Sequence, residues 1–274
     1  MAALSSRSLS RDHFERFRAF GFLVFRGLFT PEETRDLERQ FDRVMESGNR
    51  DALGIGRGTD AATAQLRLDL ASDSRMQDIA ECVLGDECQF MSVNCTAYAA
   101  DTPWHAASAV VQWASRVLKI AIYLDPLDVH SGCLRVIPGS HRNSQRLLDP
   151  RWSLAPDPLF GIRNRDVVWD NPPWGLAPQE VPYMPLETQP GDVLAFPEDL
   201  LHCAFESKGP RRQISVNFLE LPRTEEQIFD AKLHNAWGGG RLLRPPQDFV
   251  DSDDPSLRRM THGLVALGFE PVAD

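Results

Sequence analysis

The sequence predicts a mostly β fold with helices at both ends, of the sandwich or jelly-roll kind. Two observations carry this. Between about residue 87 and residue 218, short segments alternate polar and apolar residues with period two, separated by Gly- and Pro-bearing turns. Segments with helical spacing and helix start signals fall before and after that region.

Taken in order, Ser10 caps a first helix in which Phe14, Phe17 and Phe20 lie near helical spacing, and Gly21 stops it. Phe22 to Phe29 then reads as a strand. Thr30-Pro31-Glu32-Glu33 is a capping box with proline at the first helical position, opening a helix to about Met45, and a third helix is expected near Ser74 to Val83. The strands follow. Met91 to Tyr98 places Ser92, Asn94, Thr96 and Tyr98 on one face; in Lys119 to Asp125, Ile120, Ile122 and Leu124 alternate with Lys119, Ala121 and Tyr123; in Gln213 to Phe218, Ile214, Val216 and Phe218 alternate with Gln213, Ser215 and Asn217. Such alternation gives antiparallel strands with one face packed and the other open to chemistry. The stretch near 142–189 is rich in proline and holds Trp152, Trp169 and Trp174, as expected either of a lid or substrate wall or of a packed surface excursion. Thr224-Glu225-Glu226 and Pro255 open helices near the end, and one domain over 1–274 accounts for the whole pattern.

Composition excludes several classes of function. With 42% hydrophobic and 25% charged residues the chain has the make-up of a soluble globular protein. A formal charge of −10 argues against a nucleic-acid polymer as partner, because phosphate backbones reward basic surfaces. No segment has the apolar length of a membrane span. The five scattered cysteines form no C-x-x-C pair, which disfavours a disulfide framework or structural zinc and suits a reducing cytoplasm.

Chemistry concentrates at two of the seven histidines. His105 lies in Thr102-Pro103-Trp104-His105-Ala106-Ala107, just past the strand ending near Tyr98; His202 follows a Pro190-Gly191-Asp192 turn and the apolar strand Val193 to Phe196. Arg211 comes nine residues later, at the start of the next strand. A lone histidine is usually a satisfied core or surface residue. Two from separate strands, with an arginine one strand away, suit an iron that holds an acidic cosubstrate, since imidazole ligates Fe(II) and guanidinium forks onto a carboxylate.

Several segments resemble the phytanoyl-CoA dioxygenase family from about residue 9 to 222. They are Phe20-Gly21-Phe22-Leu23-Val24, Trp104-His105, Leu118 to Asp125, Gly132-Cys133-Leu134-Arg135-Val136-Ile137-Pro138-Gly139-Ser140-His141, Gly191 to Phe196 with His202, and Arg211 to Ser215, all in the family's order. The resemblance implies a double-stranded β-helix (jelly-roll, cupin-like) fold, with Fe(II), 2-oxoglutarate and O2 as cofactors. It makes His105 and His202 the iron ligands and Arg211 the partner of the far carboxylate of 2-oxoglutarate. Arg212 is the adjacent alternative, but Arg211 shares a face with Gln213, Ser215 and Asn217. Asn94 and Thr96 are expected in the cofactor pocket on the same rule, with Tyr98 beside them. His141 is read as a structural member of its turn.

The family's first motif is His-x-Asp, and here the aspartate position is Ala107. A methyl group cannot ligate iron. Halogenases of the superfamily show His-x-Ala or His-x-Gly, with chloride in the vacated position, so the resemblance implies a halogenase that chlorinates an unactivated C–H of a small molecule in secondary metabolism. Two alternatives compete: a hydroxylase that recruits Asp101, Glu198 or Asp199, and a non-catalytic binding homologue. A nucleotide is the leading substrate expectation, because Trp152, Trp169, Trp174 and Trp237 offer stacking surfaces and Arg163, Arg165, Arg241 and Arg244 can hold a phosphate.

Overall fold

The computed structural model describes residues 9–47, 55–57, 61–106, 114–142, 176, 178–237 and 243–272. Helix α1 (Arg11–Phe20) ends at Gly21, whose left-handed φ of 83° reverses the chain into β1 (Leu23–Phe25). That strand is shorter than the expected Phe22 to Phe29. Gly27 turns the backbone at φ 56°, and Asp192 fixes the turn by accepting from Gly27 N–H at 2.7 Å and from Arg26 at 2.7 Å. Helix α2 (Pro31–Glu46) opens on the capping box, with Thr30 Oγ1 accepting from Glu33 N–H and Glu33 accepting from Thr30 N–H. A helix not anticipated from the sequence, α3 (Ala61–Ser72), precedes α4 (Ser74–Leu84).

The strands form two antiparallel sheets among the described residues. The larger contains β1, β2 (Ile55–Arg57), β3 (Gln89–Tyr98), β5 (Val117–Tyr123), β8 (Val193–Pro197) and β10 (Arg211–Leu219), in the order β1-β8-β5-β10-β3-β2. The smaller contains β4 (Thr102–His105), β6 (Leu134–Val136), β7 (Met184–Leu186) and β9 (His202–Ala204), in the order β4-β9-β6-β7. Helices α5 (Glu225–Trp237), α6 (Gln247–Val250) and α7 (Pro255–Ala266) close the chain. Two sheets with flanking helices are the jelly-roll arrangement that the alternation predicts.

Register then assigns the faces. Arg211, Gln213, Ser215 and Asn217 of β10 stand opposite Tyr98, Thr96, Asn94 and Ser92 of β3, and Gln213, Ser215 and Asn217 stand opposite Tyr123, Ala121 and Lys119 of β5. The intervening residues Val93, Cys95, Ile120, Ile122, Ile214, Val216 and Phe218 point the other way, into a core shared with α1 to α4 and with α6 and α7. The polar face instead looks onto the smaller sheet, where Ala121, Tyr123, Leu194 and Phe196 pack with Leu134, Val136 and Leu186. All five cysteines are free thiols, and Cys88, Cys95, Cys133 and Cys203 are buried.

Candidate active site

The two histidines meet across the smaller sheet. His105 on β4 pairs in register with His202 on β9, and their ring centroids are 4.1 Å apart. Each ring is oriented by a carbonyl two residues before it: His105 Nδ1 donates to the Pro103 carbonyl at 2.8 Å, and His202 Nδ1 donates to the Leu200 carbonyl at 2.7 Å. A carbonyl can only accept, so each Nδ1 carries the proton. Burial pushes His105 down to about 4 and holds His202 well below the usual imidazole range, the neighbouring His105 adding to the latter. Both rings are therefore neutral at pH 7, with the lone pair on Nε2, the form in which imidazole ligates a metal.

The Gly-Ser-His turn sets the position of β9. Ser140 Oγ accepts from Leu201 N–H at 2.9 Å, and Ile137 N–H donates to the Leu201 carbonyl at 3.0 Å, so the residue before His202 is held on both sides. His141 packs against Phe17 and lies so close to Gly21 that a Cβ there would meet its Nδ1 at 2.3 Å.

Arg211 enters from the first position of β10 and is 3% exposed. Its guanidinium donates to the carbonyls of Gly132 (3.0 Å) and Ala100 (2.9 Å) and lies 5.2 Å from the centre of the Tyr98 ring, while Nε is buried without a hydrogen-bond partner. Gly132 has φ 87°, and a Cβ there would meet Arg211 Cδ at 2.9 Å, so the arginine needs this glycine. Arg212 lies on the opposite face, bonded to Asp125 at 2.8 Å and Glu38 at 3.1 Å. Thr96 is buried beside Gln213; Asn94, one pair further from Arg211, donates to Ser92 Oγ at 3.2 Å.

Ala107 lies outside the described residues, as do Trp152, Trp169, Trp174, Arg163, Arg165 and Arg241 and the 143–175 part of the expected lid. Arg244 is half-buried in the loop before α6. Among the carboxylates considered as substitute ligands, Asp101 accepts from Ser207 N–H at 2.9 Å on the Arg211 side. Among the described residues no cluster of three or more His, Cys, Asp or Glu side chains forms a metal site. Lys119, which alternates with Ile120 in the sequence, stands in register with Asn217 on the same side of the larger sheet as Ala121 and Tyr123.

Two neutral, carbonyl-anchored imidazoles fit a divalent transition metal, and a buried arginine with an unpaired Nε–H fits a dicarboxylate bound beside it. The model of the family described as Phytanoyl-CoA dioxygenase (PhyH) matches residues 17–213. A search of curated proteins finds no match. Solved structures similar to the chain include EvdO2 from Micromonospora carbonacea var. aurantiaca, at 23% identity and TM-score 0.55, covering 77% of this chain and 91% of that one. The carbocyclase SnoK from nogalamycin biosynthesis, described as non-heme and alpha-ketoglutarate dependent, has 15% identity and TM-score 0.61, with 81% and 88% covered. EctD from S. alaskensis with bound Fe has 20% identity and TM-score 0.53, with 77% and 76% covered. These likenesses establish the shared fold, and the family match establishes more: the chain belongs to the phytanoyl-CoA dioxygenase (PhyH) family of Fe(II)- and 2-oxoglutarate-dependent oxidoreductases.

Proposed function

We propose that this chain is an Fe(II)- and 2-oxoglutarate-dependent halogenase that chlorinates an unactivated C–H bond of a small molecule. The observation that carries the reading is Ala107, two residues after His105, where the family has an acidic ligand. Decay of an abandoned site would not be expected to spare His105, His202 and Arg211 while removing only the carboxylate. A chloride in place of that carboxylate leaves the net charge at the metal unchanged.

In this reading His105 and His202 would hold the metal through Nε2, and Arg211, beside the Tyr98 ring, would grip the far carboxylate of 2-oxoglutarate. Thr96 and Asn94 line the pocket between them. Iron and 2-oxoglutarate, when bound, supply with O2 the oxidant that breaks the C–H bond. The protein keeps both imidazoles neutral and correctly turned, and it shields the arginine from water. The proposed substrate is a nucleotide, on the strength of the tryptophans and arginines of the 142–189 stretch and of Trp237, Arg241 and Arg244.

A hydroxylase reading would recruit Glu198, in the turn before His202, although burial raises its pKa and so opposes the ionised form that ligates a metal. Incubating the protein anaerobically with Fe(II), 2-oxoglutarate, chloride and candidate substrates, then admitting O2, separates the two. Chlorination gives a product with the chlorine isotope doublet in the mass spectrum; hydroxylated product alone at saturating chloride rejects the halogenase.

A further inference from the structure

Lys119 stands on the polar face of the larger sheet at the level of the histidine pair. Register sets it opposite Phe196 on β8 and Asn217 on β10. The Phe196 ring meets His202 edge-on, with centroids 5.1 Å apart, which brings this level of the larger sheet up to the histidines of the smaller one. The Glu198 carboxyl, in the turn that leads from β8 to His202, lies within electrostatic reach of the ammonium. Arg211 is six positions from Asn217 along β10, about 20 Å at the usual strand rise. One polar face therefore carries a cation at each end, and the histidines lie at the Lys119 end.

Among the described residues the surroundings of Lys119 supply little compensation. Its ammonium makes no hydrogen bond and no ion pair among the described residues, although Glu198 lies within electrostatic reach. Its polar neighbours on the sheet are neutral: Asn94 and Asn217 both donate to Ser92 Oγ, at 3.2 and 3.0 Å, and Asn217 Oδ1 is buried without a hydrogen-bond partner. Among the described residues the acidic group near it is Glu198 of the β8–β9 turn, with Asp199 beside Glu198. Burial holds Glu198 above the carboxylate range even though Lys119 acts in the opposite sense, which weakens it as a counter-charge.

We propose that Lys119 binds an anion beside the histidine pair, at the opposite end of the pocket from the arginine. This deepens the oxygenase reading and rests on it: Arg211 takes the far carboxylate of 2-oxoglutarate, and Lys119 takes a second anion. A lysine ammonium is a compact point charge, suited to a halide or to a single carboxylate rather than to a planar bidentate grip. The anion is either a free halide or a carboxylate carried by the organic substrate, and the two sources are separable.

Chloride and acetate serve as the probes, titrated by calorimetry into the anaerobic protein loaded with Fe(II) and 2-oxoglutarate, and again into the metal-free protein. Lys119→Met keeps the stem and removes the charge; Lys119→Arg restores a charge; Lys119→Gln is the second neutral variant should the first fold poorly. The wild type is expected to bind at least one probe, the neutral variants to bind it about tenfold or more weakly, and Lys119→Arg to recover most of the loss. Chloride alone responding identifies a halide seat, and acetate alone a seat for a substrate carboxylate. Equal affinity in wild type and neutral variants, or no binding of either probe by the wild type, overturns the assignment. The visible charge-transfer band of Fe(II) with 2-oxoglutarate is the control. If it is absent from every variant the oxygenase reading fails, and the metal-free titration still decides Lys119.

Discussion

The two faces of the larger sheet are built from the same strands and serve opposite ends. Its helix-facing side is a run of Val, Ile, Cys and Phe residues with no chemistry to perform, and Ile214, Val216 and Phe218 are fully buried there. The pocket side interleaves Arg211, Gln213, Ser215 and Asn217, also buried, but among polar groups. Arg211 and Arg212 condense the contrast into adjacent residues. One is inside, held by backbone carbonyls and the Tyr98 ring; the other is paired with Asp125 and Glu38 at the margin. A period of two in the backbone thus separates stability from chemistry along a single strand.

The strongest test of that separation is Phe218→Ala. Emptying the apolar face is expected to cost about 3–5 kcal/mol in chemical denaturation, while the folded fraction binds 2-oxoglutarate with wild-type affinity. A loss of cosubstrate affinity in the folded fraction would mean that the faces are not independent. Arg211→Ala probes the other side. It is expected to weaken 2-oxoglutarate by about 2–5 kcal/mol in calorimetry, and a wild-type affinity would remove the arginine from the cosubstrate site.

Acidification reads the pocket side through its histidines. The unfolded chain takes up protons near 6.5, the ordinary imidazole value, whereas folded His105 does so only at about 4. Between those values the unfolded state binds more protons, so the metal-free protein should lose stability as pH falls from about 6.5 to about 4. His105→Gln should flatten that slope, and an unchanged slope would contradict a buried neutral imidazole. Ser140→Ala leaves Leu201 N–H without its partner, at an expected cost of about 1–3 kcal/mol. Metal affinity should fall with it, measured by titration with Co(II). Smallest of all, Arg212→Ala should cost about 1 kcal/mol or less of stability and leave 2-oxoglutarate binding unchanged.

How far these features were legible from the residues depended on whether a local rule governed them. Strands β3, β5 and β10 alternate over most of their length, so their faces and the preference for Arg211 over Arg212 followed from parity. Helix α3 escaped because Leu66, Leu68 and Leu70 alternate as a strand would; Leu66 and Leu70, four apart, are the fully buried pair. The first strand was drawn too long because nothing local announces that Arg26 and Gly27 turn to meet Asp192, a partner 165 residues away. Lys119 was visible on the correct face, but its level beside the histidines depends on the register of β5 with β8 and β10, which periodicity does not contain. The expectation that His105 and His202 ligate iron came from resemblance, whereas their tautomers came only with the Pro103 and Leu200 carbonyls.

Those two carbonyls bear on how the protein would acquire its metal. Each imidazole is steered by a carbonyl two residues back in the chain, in β4 for His105 and in the turn before β9 for His202, so neither ring depends on an ion to find its orientation. The seat is finished before the occupant arrives. Loading should then resemble filling a socket rather than nucleating a fold: a chelator should strip the ion and leave the circular dichroism spectrum intact, and a second divalent ion should enter the emptied protein without a refolding phase.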